Sequence, residues 1–167
     1  MCNQSVLKVL VFGLTVAGFS LAVTSTFTNY WVKIPANNGH AGLWQNCTTK
    51  QNDPKDILCW DTDNKSKYLV SAKVFMNMGW IAYGFSLVVY VLSHLKYLKY
   101  TTCGTLLIMT VIYLVIALVL FAIHVIKLEV VVFSWSYMIG WCSVGIALVS
   151  AFFSFMIKKK SHEYESF

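Results

Sequence analysis

Arginine is absent from this chain; all thirteen basic residues are lysine. Base and phosphate recognition favours arginine's bidentate fork, and the lysines here are scattered, so nucleic-acid binding is excluded. Proline and glycine are scarce, two and nine in 167 residues, which leaves little room for linkers and makes one domain the expectation. Charge is scarce too: 12% of residues are charged, about half the share of a soluble domain. Apolar residues make up 57% and the mean hydropathy is +0.63, an excess that calls for a solvent other than water. Signatures of chemistry are missing as well. No P-loop, dinucleotide fingerprint or nucleophile elbow occurs. His40, His94, His124 and His162 lie on different segments without metal-ligand spacing. Asp61-Thr62-Asp63-Asn64 opens like a calcium loop, but Ser66 stands where glycine is required and Ala72 where glutamate is required. No enzyme activity, cofactor or metal is expected.

What is present is four apolar runs, at 6–27, 74–92, 105–126 and 134–157. Each is long enough to cross a hydrocarbon core of ~30 Å as a helix. In lipid that form is forced, because backbone groups find no water partners. As buried helices of a soluble protein, four such runs would lack the polar surface to cover them. The first run exceeds a signal-peptide core and no clean Ala-x-Ala site follows it, so it reads as a retained span. Between the runs lie a long polar loop at 28–69, a short basic loop at 93–102, a very short loop at 127–133 and a polar tail at 158–167.

Four spans put both termini on one side of the membrane. Lys96 and Lys99 in the short loop, and Lys158, Lys159 and Lys160 in the tail, place that side in the cytoplasm by the positive-inside rule. The long loop carries Lys33, Lys50, Lys55, Lys65 and Lys67, so charge alone does not decide. The cysteines do. Cys47 and Cys59 are the only two in the long loop, and a stable disulfide needs an oxidising compartment. The loop also holds two glycosylation sequons, at Asn46 and Asn64. A multi-pass plasma-membrane protein with cytoplasmic termini is expected, and the sequon at Asn3 is then silent.

The long loop reads Trp31, then Gly42-Leu43-Trp44, then Cys47, then Cys59. A bridge between the two cysteines contributes roughly 3 kcal/mol in the chain-entropy model. Loop 28–69 buries too little core to fold alone, so bridge and helices must share the work. Trp31 and Trp44 suit an interface, with an apolar ring and a polar N–H. The alternative is two membrane-belt tryptophans and two unpaired thiols.

This spacing resembles the signature of the claudin and peripheral myelin protein superfamily, and the likeness covers the whole order of spans and loops. The stretch Phe133-Ser134-Trp135-Ser136-Tyr137-Met138-Ile139-Gly140-Trp141 is similar to the branch of lens fibre membrane intrinsic, epithelial membrane and natural killer granule proteins. Ser71-Ala72-Lys73-Val74-Phe75-Met76 resembles the family's start of span two, with Lys73 where relatives often carry arginine. Gln45-Asn46-Cys47-Thr48 resembles the glycosylated loop of the myelin and epithelial members. The resemblance implies a mainly α fold: a left-handed four-helix bundle with a small extracellular antiparallel β-sheet. Two features depart from barrier-forming claudins. The second outer loop has about seven residues, and the ending Tyr164-Glu165-Ser166-Phe167 lacks a Tyr-Val terminus.

Small residues recur at intervals of four in span one (Gly18, Ala22, Thr26) and span four (Ser143, Ala147, Ala151), which predicts close packing within the bundle. Lys73, Asn77 and His124 sit in or near spans; Lys73, at a helix start from which it can snorkel, and His124, near the outer end of span three, read as boundary residues rather than an ion pathway. Cys2 and Cys103 lie near the cytoplasmic boundary and are candidates for palmitoylation, with free thiols the equal alternative; Cys142 is expected in the core. Lys158–Lys160 suit either anionic lipid or a plain stop-transfer anchor. The expectation for function is a non-enzymatic tetraspan of cell–cell contact or membrane organisation. It acts through its first extracellular loop, with the lipid bilayer and laterally associated membrane proteins as partners. An auxiliary channel or receptor subunit is the runner-up. A paracellular pore ranks third, because the mixed charges of the loop give no clear selectivity.

Overall fold

The computed structural model describes residues 4–35, 39–50, 53–62, 66–127 and 132–164, and of 49–50, 53–56 and 158–164 the backbone only. Cys2, Asn3 and Asn64 lie outside the described residues. Four helices carry the fold: α1 (Gln4–Phe27), α2 (Lys67–His94), α3 (Tyr100–Ile126) and α4 (Trp135–Tyr164). All four contain a stretch long and apolar enough to cross a membrane. Five strands lie between them: β1 (Val32–Ile34), β2 (Gly39–Ala41), β3 (Gln45–Lys50), β4 (Asp53–Asp61) and β5 (Val132–Phe133). They form one antiparallel sheet in the order β4-β3-β2-β1-β5, across the α1, α2, α3 and α4 ends that their connections join.

The helices overrun the apolar runs. α2 begins at Lys67 rather than at 74, α3 at Tyr100 rather than 105, and α4 continues through the tail lysines to Tyr164. Hydropathy marks where lipid ends, whereas the backbone ladder continues as long as nothing interrupts it. Both prolines, Pro35 and Pro54, fall outside the helices. Pro54 stands near the start of β4, an edge strand, where a missing N–H is tolerated. Because α2 starts early, Lys73 lies within the helix rather than at its beginning, with its ammonium 5.5 Å from the Trp44 ring centroid.

Several small hydroxyl side chains inside the bundle bond back to their own helices. Thr15 donates to the Val11 carbonyl (2.7 Å), Thr26 to Ala22 (2.7 Å) and Ser154 to Ser150 (2.8 Å). This back-bonding lets small polar residues line a helix contact without an unmet donor. The stripes Gly18, Ala22, Thr26 and Ser143, Ala147, Ala151 all face inward. At Gly18 a Cβ would overlap the Tyr83 hydroxyl, so the buried Tyr83 side chain of α2 packs into the space that the glycine leaves on α1. Cys142 does not join the core. It is exposed on the outer face of α4, because the adjacent Ser143 and Val144 turn inward and place it off the packed side.

Candidate functional site

The sheet is fastened to the bundle by the two tryptophans singled out in the long loop. A helix C-terminus leaves its last carbonyls without intrahelical donors. At the end of α1 these are met in turn. Trp31 is fully buried and its indole donates to the Ser25 carbonyl at 2.7 Å. Trp44 is half-buried and donates to the Thr26 carbonyl at 2.9 Å. The Thr28 backbone N–H donates to the Thr24 carbonyl at 3.1 Å. The Trp31 ring meets Phe121 of α3 edge-on, centroids 4.6 Å apart, and lies 5.9 Å from Tyr137 of α4. One side chain thus ties the loop to three helices.

Gly42 and Leu43 make this seating possible. A Cβ on Gly42 would lie 2.6 Å from the Asn29 Cα and 2.9 Å from the Thr28 carbonyl oxygen, both backbone atoms that cannot turn aside. Leu43 is fully buried. Its carbonyl accepts the Thr62 hydroxyl at 3.0 Å, while the Trp44 carbonyl accepts the Thr62 N–H at 2.8 Å. The Asn29 amide donates to the Gln45 side-chain oxygen at 2.9 Å. From the far side, Ser134 N–H donates to the Trp31 carbonyl at 2.8 Å, and Ser25 donates its hydroxyl to the Ser136 carbonyl at 2.9 Å. The short second loop therefore closes the sheet with β5 rather than standing free.

Cys47 and Cys59 face each other directly across β3 and β4 and are joined by a disulfide. The row Val32, Ala41, Asn46 and Trp60 runs across the sheet in register, and all four line a cavity of about 150 Å³ between the sheet and the ends of α2 and α3. Phe121 and His124 close its other side. His124 Nδ1 lies 3.0 Å from the Ser66 hydroxyl at the start of α2. Asn46, one of the two loop sequons, is half-buried on this row. Away from the bundle, His40 stacks on Tyr30 (centroids 4.1 Å), which stacks on Trp135 (5.8 Å). Partial burial holds the His40 pKa below the ordinary imidazole value.

The outermost strand is different in kind. β4 lies at the sheet's edge, and Ile57, Leu58 and Trp60 are exposed by 56%, 60% and 47%. Sequence reasoning found the tryptophans, the glycine and the cysteines. It missed the acceptors (the carbonyls of Ser25, Thr26 and Ser136) and β5, because backbone groups carry no residue signal. At the opposite end Cys103 is fully buried, its thiol 3.5 Å from the Ser86 carbonyl, so acylation there requires the side chain to leave the core. Asn77 accepts from the Trp80 indole at 3.0 Å. Among the described residues no three His, Cys, Asp or Glu side chains converge as a metal site does.

A profile described as the PMP-22/EMP/MP20/Claudin family matches residues 4–156 of the chain. No individual curated protein matches it.

Proposed function

The chain belongs to the PMP-22/EMP/MP20/Claudin family, multi-pass membrane proteins of junctions and membrane organisation, and on that premise we propose that it makes non-enzymatic contacts through the sheet at the outer surface of the plasma membrane. The observation that carries this reading is the edge of β4. Ile57, Leu58 and Trp60 sit exposed on an edge strand that pairs with β3 alone, in the segment that connects α1 to α2. An exposed edge strand with apolar side chains is a template for pairing that proteins normally blunt. Its retention at the far edge of a sheet anchored to the helices suits a contact surface.

The test is enrichment at cell–cell borders in cells without the endogenous protein. Ile57→Glu with Leu58→Glu is expected to reach the surface normally but to lose border enrichment and proximity cross-linking between molecules. Undiminished enrichment of the double variant overturns the reading. Orientation is tested separately. A tag beside Asp53 should be reached by antibody on intact cells and a tag after Phe167 should not, and a glycan-removing enzyme should shift the protein's mobility through Asn46 or Asn64.

Lateral association as an auxiliary subunit is favoured by one further feature. Gly13, Ala17, Ser20 and Thr24 lie at helical spacing on the exposed side of α1, and no atom comes within 4 Å of a Cβ placed on Gly13. Small residues on a lipid-facing stripe allow close approach by another helix. Stoichiometric recovery of a channel or receptor from native tissue, lost on Gly13→Leu, distinguishes this role from border contact.

A further inference from the structure

At the end of the bundle away from the sheet, the loop 95–99 between α2 and α3 holds two lysines in places that its own backbone disfavours. α2 ends with Lys96 N–H donating to the Ser93 carbonyl at 3.2 Å and Tyr97 N–H to the Leu92 carbonyl at 3.0 Å. That pair of bonds is a Schellman closure, whose left-handed position is usually glycine. Here it is Lys96, with φ 67°, the one residue other than glycine with positive φ among the described residues. Lys99 occupies the N-cap of α3, makes no side-chain capping bond, and has no acidic residue in the turn that follows. A cation there opposes the helix dipole, and lysine offers no acceptor to the free N–H groups.

The apolar side chains of the loop are also turned outward. In a Schellman closure the residue after the left-handed one commonly packs back against the helix. Tyr97 instead is 77% exposed, the highest value for any large apolar side chain among the described residues. Leu95 and Leu98 are exposed beside it. The chain has no acidic residue anywhere between Asp63 and Glu129, so nothing in either helix neutralises the loop. Lys8 of α1 adds a third cation nearby, 5.3 Å from the centroid of the Tyr100 ring.

We propose that the loop 95–99 is a binding site for the headgroup of an anionic phospholipid, with Lys96 and Lys99 on the phosphate and Leu95, Tyr97 and Leu98 in the adjoining acyl boundary. The place decides the occupant. The loop joins two membrane-spanning helices at their ends, where headgroups lie, and its alternation of basic and apolar side chains matches that boundary. A role in orientation alone explains lysines in the loop. It does not explain why they stand at the glycine and cap positions, nor why the apolar residues between them face outward. The site rests on the multi-pass reading; which leaflet it faces follows from the orientation proposed above, but its existence does not.

The full chain, with its disulfide intact, is stripped of lipid in a non-ionic detergent and titrated with phosphatidylserine or phosphatidylcholine, and adducts are counted by native mass spectrometry. This readout is indifferent to orientation, so a reversed topology in the tag experiment leaves it unaffected. Phosphatidylserine should bind several-fold more tightly than phosphatidylcholine at low salt. Lys96→Gln and Lys99→Gln should each weaken it roughly fivefold. Lys96→Arg should retain binding. Lys96→Gly separates the site from the fold: it relieves the left-handed backbone, so the protein should become more heat-resistant while binding the lipid as weakly as Lys96→Gln does. Equal binding of the two lipids, or Lys96→Gly binding as the parent does, overturns the proposal. So does loss of the preference in a Lys158→Gln, Lys159→Gln, Lys160→Gln variant with none in Lys96→Gln/Lys99→Gln. Glycerophosphoserine, a headgroup without chains, should compete poorly; competition at lipid concentrations refutes the lipid as the ligand.

Discussion

Replacing Trp31 by phenylalanine should cost far more than the same change at Trp44, although both indoles cap neighbouring carbonyls of α1. At Trp31 the side chain is fully buried, and the Ser25 carbonyl keeps only a long bond from the Thr28 hydroxyl, 3.3 Å, once the indole is gone. Leaving that acceptor poorly met in a dry site costs about 1–3 kcal/mol. The smaller ring also leaves a void against Phe121 and Tyr137, worth about 1 kcal/mol more. Trp44 is half-buried, so water can replace its bond to Thr26, and the loss should be about 0.5–1.5 kcal/mol. Trp135, 46% exposed, supplies the control, and its phenylalanine variant should stay within ~0.5 kcal/mol of the parent. Equilibrium unfolding by titrating SDS into mild-detergent micelles measures all three. If Trp31→Phe is no more costly than Trp44→Phe, or Trp135→Phe matches it, capping of α1 is not what these residues do.

The remaining predictions concern the same end of the molecule. Cys47→Ser and Cys59→Ser should each lower stability by about 3 kcal/mol, the loop-closure value for a separation of 12 residues, and the double variant should be no worse because all three lose one bond; thiol labelling and surface delivery are the readouts, and free thiols in the mature parent would refute it. Gly42→Ala should destabilise the sheet by about 1–3 kcal/mol, since its methyl meets backbone at 2.6 Å, and should be retained inside the cell while its four spans still insert. His40 has a pKa lowered by partial burial, so the folded state binds its proton less readily than the unfolded chain does. Its contribution is therefore intact above the unfolded value of about 6.5 and is lost as the pH falls through the lowered folded value. Unfolding midpoints at neutral and mildly acidic pH should differ more in the parent than in His40→Gln, and equal differences would exclude His40 as the cause.

The spans and the stapled loop were legible because the sequence states them in residue types. Four apolar runs force four helices, and two cysteines in one polar loop invite a bridge. Which way each helix turns was only partly legible. In water the packed face of a helix is apolar and the other polar; in lipid both are apolar, and the hydrophobic pattern no longer marks the inside. Small residues at intervals of four carry the information instead, which is why Gly18, Ala22, Ser143 and Ala147 were placed inward correctly. Cys142 was misplaced because cysteine is usually buried and its type outweighed its position one residue from that stripe. Cys103 shows the converse. Its nearness to the membrane boundary suggested an accessible thiol, but its helix face buries it.

The indole bonds also bear on how the contact surface works. Sheets of a few short strands are marginal alone in water, and β1 and β2 have three residues each. Their rigidity is borrowed from the bundle through Trp31, Leu43 and the Ser134 N–H, all on the β1–β2 side and its β5 border. Among the described residues, β4 receives that support through β3, the disulfide, the Thr62 bonds to Leu43 and Trp44, and the attraction between Asp61 and Lys73 of α2. The edge exposing Ile57, Leu58 and Trp60 is thus the part of the sheet held least directly by the helices. Pairing with another molecule would strengthen it most, since each new ladder bond adds to an edge that now has one neighbour. A contact made there should protect β4 amides from hydrogen exchange while leaving those of β1 unchanged, and equal protection of both strands would place the contact elsewhere.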